Sequence, residues 1–258
     1  MDSYVVQKRL SMAFYGDVVL ALTDAGVVAI KRMDVAATMG HVSFQQHRAP
    51  TTKDFDRELE VYEYLSRAGG HRNIVSFVET FEHFGYHHLV LEHCGGGSLA
   101  SAALPISQVG LLFTQLLDAI CFLHSHGIAH GDIAASNVLM AGATFKLCDF
   151  GSAIVLANCT DDEAARHRLR DLHALGHLLA HTLEHATDNE AGDASLRQKR
   201  PAGTPPVLAQ LIEFIRMAPR LTAMELLVRW QRCCSGHHAV DSRVHRTTNA
   251  RRVFVDAL

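Results

Sequence analysis

The chain has 258 residues, of which 48% are hydrophobic and 20% charged, a composition that excludes a disordered protein and suffices for a large core. Its formal net charge of −3 gives no reason to expect nucleic acid or an anionic membrane as a partner. No uninterrupted apolar run has the length of a membrane span, the N-terminus lacks the apolar core of a signal peptide, and the six cysteines form no C-x-x-C motif, so a cytoplasmic protein with reduced thiols is expected.

The first part of the chain is predicted to be rich in strands. Loosely alternating apolar residues from Val5 to Leu22, broken at Gly16, predict a hairpin, and Val27 to Met33 predicts a third strand. Lys31 closes an apolar run and is expected to emerge into a cleft, although a strand-end lysine in solvent is the simpler alternative.

A helix is predicted between these strands and two more. Residues 36–53 have the composition of a loop, and apolar residues at helical spacing from Asp54 to Ala68 predict a helix that ends at two glycines. Glu58 lies beside the apolar stripe, as a solvated residue or as the partner of Lys31. Two further strands are predicted at residues 74–81 and 88–92.

After a glycine-rich break at residues 94–98, the pattern becomes helical. The wide apolar stripe from Ser107 to Ser125 predicts a core helix. A polar segment, residues 158–170, leads to further predicted helices at Asp171–His185, Val207–Met217 and Thr222–Cys233, with a polar loop at 186–206 and a basic, mobile tail after Ser235. Strands followed by helices predict an α+β protein of two lobes with a cleft between them.

Two short segments hold the polar residues that indicate chemistry. One contains Asp132 and, five residues later, Asn137, and the other contains Asp149 followed by Phe150 and Gly151. Asp132 can orient a hydroxyl, while Asn137 and Asp149 can hold Mg²⁺ against phosphates. Phosphoryl transfer needs this arrangement because its catalysis is mostly positioning and charge neutralisation. Two ordinary turns that contain Asp and Asn are the alternative.

From about Tyr4 to Cys234 the chain resembles the eukaryotic protein kinase family. Val28-Ala29-Ile30-Lys31 is similar to the V-A-I-K motif, and Glu58 has the position of the helix glutamate that pairs with that lysine. The resemblance implies a two-lobed protein-kinase-like fold over residues 4–234, with a small antiparallel β-sheet N-lobe and one helix in 4–94, a mainly helical C-lobe in 95–234, and a tail in 235–258. It implies a catalytic set with ATP and Mg²⁺ as cofactors: Asp132 as the base, Lys31 and Glu58 at the α- and β-phosphates, and Asn137 and Asp149 as metal ligands.

The resemblance also implies a nucleotide-binding set. Leu91 has the gatekeeper position, and Glu92 and Cys94 offer backbone hydrogen bonds to adenine. The remaining members are the adenine-flanking Val18, Ala29 and Leu139 and the glycine-loop positions Ser11, Ala13 and Gly16. A second apolar stack of Tyr62, Phe150 and His130 is implied as well, and for both stacks plain core packing is equally compatible.

Several positions depart from the family pattern. Only the third glycine of the glycine-rich loop is kept, as Gly16. Gly131 replaces the arginine of H-R-D, which argues against activation by a phosphate on the activation loop. Ala134 stands where serine/threonine kinases place a lysine, and no A-P-E motif follows Gly151, from which only residues 152–170 lead to Asp171. An incomplete gene sequence would look the same.

Arg166, Arg168 or Arg170 could replace the missing cation, but solvated surface charges are the better prediction for them. His173, His177, His181 and His185 recur every four residues, and histidines at i and i+4 can bind Zn²⁺. Each step rotates the row by about 40° on a helix, so the four cannot share one metal. Partly buried structural histidines are therefore predicted.

The main hypothesis is a protein kinase, serine/threonine-directed, that transfers the γ-phosphoryl group of ATP to a hydroxyl of a protein substrate. No nucleic acid or membrane partner is expected. One alternative is a pseudokinase that binds nucleotide or acts as a scaffold, favoured by the degenerate glycine loop. The other is a small-molecule phosphotransferase, because His130-Gly131-Asp132 is also similar to the motif of aminoglycoside and choline kinases.

Overall fold

The structure is a computed structural model that describes residues 4–13, 16–34, 52–187, 212–215 and 221–236. Its strands are β1 (Val5–Ala13), β2 (Gly16–Thr23), β3 (Gly26–Asp34), β4 (Phe77–His83), β5 (Tyr86–Glu92), β6 (Ile128–Ala129), β7 (Val138–Ala141), β8 (Thr144–Leu147) and β9 (Ile154–Val155). Its α-helices are α1 (Thr52–Arg67), α2 (Ile106–Ser125), α3 (Asp161–Glu184) and α4 (Ala223–Gly236).

The chain divides into two compact units. The first contains Met1–Ala102 and His130–Ile154, and the second contains Ala103–Ala129 and Val155–Leu258. The first unit therefore holds the strands β1 to β5, the helix α1 and the β7–β8 hairpin, and the second holds α2, α3 and α4. The residues around Asp132 and Asp149 belong to the same unit as the N-terminal sheet.

The first unit is built on a five-stranded antiparallel sheet with the strand order β1-β2-β3-β5-β4. Val18 lies opposite Lys31, and Ala29 lies opposite Leu91. Directly opposite residues share a face of an antiparallel sheet, and side chains alternate along each strand. Val18, Ala29, Lys31 and Leu91 therefore share one face. The other face carries a small core of Val19, Ala21, Ile30 and Val90.

The helix α1 presents one apolar stripe, as its sequence predicts. Phe55, Val61, Tyr62 and Leu65 are buried, and together with Glu58 they recur at the spacing of three or four residues that places side chains on one helix face. Glu58 lies within this stripe and is only 2% exposed. Of the two alternatives for Glu58, the solvated residue is therefore wrong.

The core of the second unit is the helix α2. It has ten buried residues, Val109, Leu112, Phe113, Gln115, Leu116, Leu117, Ala119, Ile120, Cys121 and Leu123. Trp230 of α4 packs edge-on against Phe113, with ring centroids 4.9 Å apart, and its Nε1 donates to Thr114 Oγ1 at 2.8 Å. By length and a mean hydropathy of 1.6, α2 could cross a membrane, a property that core helices of soluble proteins share.

The helix α3 begins earlier than its sequence pattern predicts. Its N-cap is Thr160, whose side chain accepts from the Glu163 N–H while the Glu163 carboxylate accepts from the Thr160 N–H. This capping box starts the helix at Asp161, ten residues before the predicted start at Asp171. Much of the polar segment 158–170 is therefore helical.

The other predicted elements match the described ones closely. The first hairpin, the third strand and the first helix differ from β1, β2, β3 and α1 by one to a few residues at their ends. Residues 74–76 precede β4 instead of belonging to it. Of the predicted helix 207–217, only 212–215 are described, and they are helical. The predicted tail lies outside the described residues from residue 237 onward.

Candidate active site

Lys31 lies between two carboxylates contributed by different elements. Its Nζ is 2.6 Å from Glu58 Oε2 of α1 and 3.3 Å from Asp149 Oδ1, which follows β8. The three side chains are far apart in sequence and meet within the first unit. Lys31 points toward them because it lies on the same face of the sheet as Ala29, and the small buried core lies on the other face.

The charges in this trio depend on one another. Burial alone would lower the pKa of Lys31, but the carboxylates of Glu58 and Asp149 raise it, so the ammonium stays charged. Burial raises the pKa of Glu58, opposed by Lys31. Burial also disfavours the charged form of Asp149, but Lys31 holds the pKa of that carboxyl below its usual range. The trio thus consists of the charged ammonium of Lys31 and the two acidic side chains, Glu58 and Asp149, that hold it.

Asp149 adopts a backbone conformation that L-residues rarely use, with φ 67°. Its Oδ1 accepts from the Gly151 N–H at 3.3 Å, which supports the turn. Such local strain persists where surrounding contacts over-determine it, and it concentrates at functional sites. The conformation is consistent with a carboxylate that is held in position for a ligand.

Asp132 and Asn137 form a second polar pair. The Asn137 Nδ2 donates to Asp132 Oδ2 and to the Asp132 backbone oxygen, both at 2.9 Å. Asn137 is buried and Asp132 is exposed, so the amide fixes a carboxylate that remains accessible. The Cys148 N–H donates to the Asn137 carbonyl at 3.0 Å, which ties this pair to the residue before Asp149. The structure therefore brings all five predicted catalytic residues into one connected region.

The donors present fit a magnesium ion that is shared with phosphates. Asn137 offers an amide oxygen and Asp149 a carboxylate, the hard oxygen donors that Mg²⁺ prefers. Within the described ranges there is no cluster of three His, Cys, Asp or Glu side chains suited to a metal. A Mg²⁺ ion here would take further ligands from water or from a nucleotide, as is usual for this ion.

Gly131 occupies a position that admits no side chain. Its φ is +81°, and a Cβ built there would overlap the backbone carbonyl oxygen of Ser152. The main chain at Ser152 therefore leaves no room for an arginine side chain at residue 131. Sequence reasoning missed the role of Ser152 because the obstructing atom is a backbone atom.

The predicted stack of three rings is present. Tyr62 meets Phe150 edge-on with ring centroids 4.9 Å apart, and His130 lies 5.1 Å from Phe150. All three residues are buried. The stack joins α1 to the segments that carry Asp132 and Asp149. It therefore helps to hold α1, which carries Glu58, against those segments.

The segment predicted to bond adenine, which contains Glu92 and Cys94, carries an ion pair that the sequence did not reveal. Glu92 Oε1 accepts from Lys146 Nζ at 2.6 Å and from the Ser76 N–H at 2.7 Å. This links the end of β5 to β8. Cys94 and Leu91 are both buried. In the sequence, Lys146 lies between apolar residues of β8, but residue spacing does not indicate that its partner is Glu92.

The glycine-loop positions lie at the end of a paired hairpin. Ser11 is paired with Val18 and Ala13 with Gly16 across β1 and β2. A Cβ at Gly16 would overlap the Arg32 carbonyl of β3, so this glycine is required for close packing of the main chains. The adenine-flanking candidates Val18, Ala29 and Leu139 are each half-buried.

Asn73 is a buried polar residue to which sequence reasoning gave no role. Its Nδ2 donates to the Phe145 carbonyl at 2.9 Å, and its own carbonyl accepts from the Leu147 N–H at 2.9 Å. The Val75 N–H donates to the Leu147 carbonyl at 2.8 Å. These bonds fix β8, and β8 in turn positions Asp149.

The row of histidines on α3 differs from its prediction. His173 is half-buried, but His177, His181 and His185 are exposed, so a structural role in partial burial is wrong for these three. His181 and His185 stack on each other with ring centroids 4.3 Å apart. Arg166 and Arg170 of the same helix are exposed, as expected for solvated charges, and Arg168 is half-buried.

Comparison with known proteins identifies the family. A sequence model of the protein kinase domain matches residues 4–170. The chain is 32% identical over 165 residues to the serine/threonine-protein kinase ksp1 of Schizosaccharomyces pombe, covering 58% of this chain and 33% of that protein. It is 33% identical over 166 residues to the serine/threonine-protein kinase chk-2 of Caenorhabditis elegans, with the same coverage of 58% and 33%.

A third similar protein is the testis-specific serine/threonine-protein kinase 3 of Mus musculus, 36% identical over 135 residues, covering 50% of this chain and 46% of that protein. The chain thus spans between a third and less than half of the length of these relatives. The sheet-bearing first unit and the helical second unit agree with the predicted two-lobed α+β fold. On the match of the domain over residues 4–170, this chain belongs to the protein kinase family.

Proposed function

We propose that this chain is a protein kinase that uses ATP and Mg²⁺ and phosphorylates a serine or threonine hydroxyl of a protein. The observation that carries the proposal is the position of Lys31, whose ammonium bonds both the buried Glu58 and Asp149. A lysine fixed in this way is a preformed cationic anchor for nucleotide phosphates. The three similar kinases carry serine/threonine in their names, which supports the choice of hydroxyl.

In the proposed reaction the substrate hydroxyl oxygen attacks the γ-phosphorus, the bond to the β–γ bridging oxygen breaks, and ADP leaves. Asp132 accepts the hydroxyl proton, and its carboxylate is kept in orientation by Asn137 at 2.9 Å. Lys31 holds the α- and β-phosphates. Such alignment of reactants lowers a barrier by about 7–11 kcal/mol in favourable cases.

Asn137 and Asp149 are the proposed Mg²⁺ ligands. When bound, Mg²⁺ would neutralise negative charge on the phosphates, which together with positioning accounts for most of the catalysis in this class of reaction. Asp149 is prepared for this role because Lys31 keeps its carboxyl ionised. The adenine ring is proposed to lie against Val18, Ala29 and Leu139, with Leu91, Glu92 and Cys94 at its edge.

The phosphates are proposed to pass close to the β1–β2 hairpin. Ser11 and Ala13 are small residues, so the main chain can approach a phosphate there, and Gly16 is the first residue of β2. A cytoplasmic location is also proposed, supported by the four described cysteines Cys94, Cys121, Cys148 and Cys159, all of which are free thiols.

The direct test is transfer of radiolabelled phosphate from ATP to dephosphorylated casein. Asp132→Asn should reduce the rate by at least about 100-fold, because a positioned general base contributes roughly 10²–10⁴. Asp162→Asn, an exposed carboxylate on α3, is the matched control and should retain the wild-type rate. Equal incorporation by wild type and Asp132→Asn would defeat the assignment.

A pseudokinase is the second candidate, favoured by Ala134 at the position of the phosphate-binding lysine. The absence of that charge from a transition state typically costs about 10²–10³ in rate, and ATP could then bind without being used. Saturable ATP binding with no transfer to any protein would support it. ATP consumption that depends on a small alcohol, but not on protein, would instead support a small-molecule kinase.

A further inference from the structure

An ion pair joins β2 to β3 at the hairpin end, the part of the β1–β2 hairpin where Ala13 pairs with Gly16. Arg32 Nε donates to Asp17 Oδ1 and Arg32 Nη2 donates to Asp17 Oδ2, both at 2.7 Å. The pair is therefore bidentate, a geometry in which the planar guanidinium matches both oxygens of a carboxylate. Sequence reasoning gave a role to neither residue.

The register of the sheet places this ion pair directly beside residues of the candidate site. Asp17 lies opposite Arg32, and the next pair along the two strands is Val18 opposite Lys31. Because side chains alternate along a strand, the ion pair lies on the face opposite that of Val18 and Lys31. Each member of the ion pair is thus the chain neighbour of a candidate nucleotide-binding residue, without sharing its face of the sheet.

The hairpin end has a sequence that is poorly suited to a strand. Gly16 and Asp17 are the first two residues of β2, and glycine and aspartate are both disfavoured in strands. The main chains nevertheless approach closely there, since a Cβ at Gly16 would overlap the Arg32 carbonyl oxygen. The Arg32 side chain therefore holds the same end of β2 against which the Arg32 carbonyl packs.

The ion pair is better placed than an ordinary surface pair. The side chains of Asp17 and Arg32 are only 16% and 33% exposed. The hydrogen bond from Arg32 lowers the pKa of Asp17, and the bond to Asp17 raises the pKa of Arg32, so both groups are charged at neutral pH. The next pair on the same face is Val19 opposite Ile30, both buried. Bidentate geometry beside a packed core is a setting in which an ion pair near the surface contributes to stability.

We propose that Asp17 and Arg32 are positioning residues for nucleotide binding, which act by holding the hairpin end against β3 beside Lys31. This inference rests on the proposed function, in which the phosphates pass close to the hairpin end. A segment that is already held in place loses little conformational freedom when a ligand binds, so less of the interaction energy is spent on ordering it. Without the ion pair, the nucleotide itself would have to order the hairpin end, and its affinity would fall.

The test measures, by isothermal titration calorimetry, how the full-length chain binds the magnesium complex of AMP-PNP, an ATP analogue whose γ-phosphoryl group is not readily transferred. Asp17→Asn and Arg32→Gln each remove one partner, and each should raise the Kd at least about threefold, the cost of ordering the freed segment. Arg32→Lys keeps the charge but not the planar fork. Its Kd should therefore lie between those of the wild type and Arg32→Gln.

Two comparisons separate positioning from a general loss of stability. The double variant of Asp17→Asn and Arg32→Gln should bind no more weakly than the weaker single variant, because the two residues act as a unit. Thr23→Val is the matched control at the opposite end of the same two strands. It removes a hydroxyl that donates to the Gly26 carbonyl and accepts from the Ala25 N–H. This control should melt at a lower temperature but keep the wild-type Kd.

Steady-state phosphate transfer to casein provides a second readout. The ion-pair variants should raise the KM for ATP, while kcat should stay within about twofold of the wild-type value, as expected when only nucleotide binding is weakened. A loss of kcat with an unchanged KM would contradict the positioning role.

The outcomes separate this inference from the proposed function. If the wild type binds the nucleotide and the ion-pair variants bind it equally well, the positioning role is wrong and the proposed function stands. Additive effects of the two single changes, or a Kd raised as much by Thr23→Val, would also overturn the positioning role alone. No nucleotide binding by the wild type would overturn both.

Discussion

At the scale of single residues, Asp149 determines how the candidate site responds to acid. Folding lowers the pKa of this carboxyl, because Lys31 stabilises its charged form. The ionised group therefore stabilises the fold at pH values above its unfolded pKa of about 3.9, and the contribution is lost as the pH falls through the lower folded-state pKa.

Asp149→Asn should accordingly destabilise the protein near neutral pH, and the difference from wild type should shrink as the pH falls below about 4. Asparagine is the suitable replacement because it tolerates the positive φ of 67°. Urea unfolding of both proteins across this pH range measures the difference, with Asp56→Asn on the exposed face of α1 as control. A difference that does not vary with pH would contradict the expectation.

The steric effect of the Ser152 carbonyl at Gly131 can be measured by comparing Gly131 with Gly142. Both have a positive φ, of 81° and 62°, but only at Gly131 would a Cβ meet a neighbour, the Ser152 carbonyl. Gly142→Ala should cost about 1–2 kcal/mol from backbone strain alone. Gly131→Ala should cost about 1–3 kcal/mol more, because the overlap forces the main chain to shift.

Denaturant unfolding of the two alanine variants measures this difference, and phosphate transfer measures its consequence at the site. Gly131→Ala should lose activity, since Asp132 is the next residue. Equal stability of the two variants would show that the segment around Ser152 moves aside at no cost, and the steric account would then be wrong.

At the scale of elements, the start of α3 depends on one local motif. Thr160→Ala removes the N-cap side chain and should destabilise the protein by about 1 kcal/mol. Thr160→Ser keeps an acceptor oxygen and should retain most of the stability. The loss of helix measured by circular dichroism near the midpoint of unfolding provides the check, and equal behaviour of the two variants would exclude a capping role.

The same element shows what sequence patterns can and cannot predict. The start of α3 was missed because residues 161–170 are mostly exposed, and an exposed helix has little apolar periodicity. Thr160 and Glu163 have the sequence spacing of a capping box, but a prediction based on apolar periodicity does not detect it. In contrast α1 and α2 were predicted well, because burial imposes a strong stripe on both helices.

The catalytic candidates were predictable because each belongs to a short local motif, and the fold brings the motifs together. Asn73 and Lys146 were not, because their partners lie at a long sequence distance, on β8 and β5. The obstruction at Gly131 was not predictable either, since it depends on a main-chain carbonyl. A close approach between backbone atoms cannot be predicted from residue types, because every residue has the same backbone atoms.

At the scale of the whole molecule, nucleotide binding should increase the free energy of unfolding of the chain. A ligand that binds only the folded chain stabilises it by RT ln(1 + [L]/Kd), which is about 2.7 kcal/mol at one hundred times Kd. ATP with Mg²⁺ should therefore raise the melting temperature of the wild type by a few degrees.

Lys31→Met is the informative variant for that measurement. It removes the cation proposed to hold the phosphates, so ATP should raise its melting temperature much less than that of the wild type. It also leaves Glu58 buried without its partner, so the variant itself should be less stable, by up to about 3–5 kcal/mol. An equal shift with ATP in both proteins would place the nucleotide elsewhere.

The main chain beside Gly131 also limits what can be engineered at this position. An arginine introduced there would meet the Ser152 peptide oxygen, and no replacement of the Ser152 side chain removes that atom. A designer who wants an arginine at residue 131 must therefore rebuild the backbone at 151–153 first.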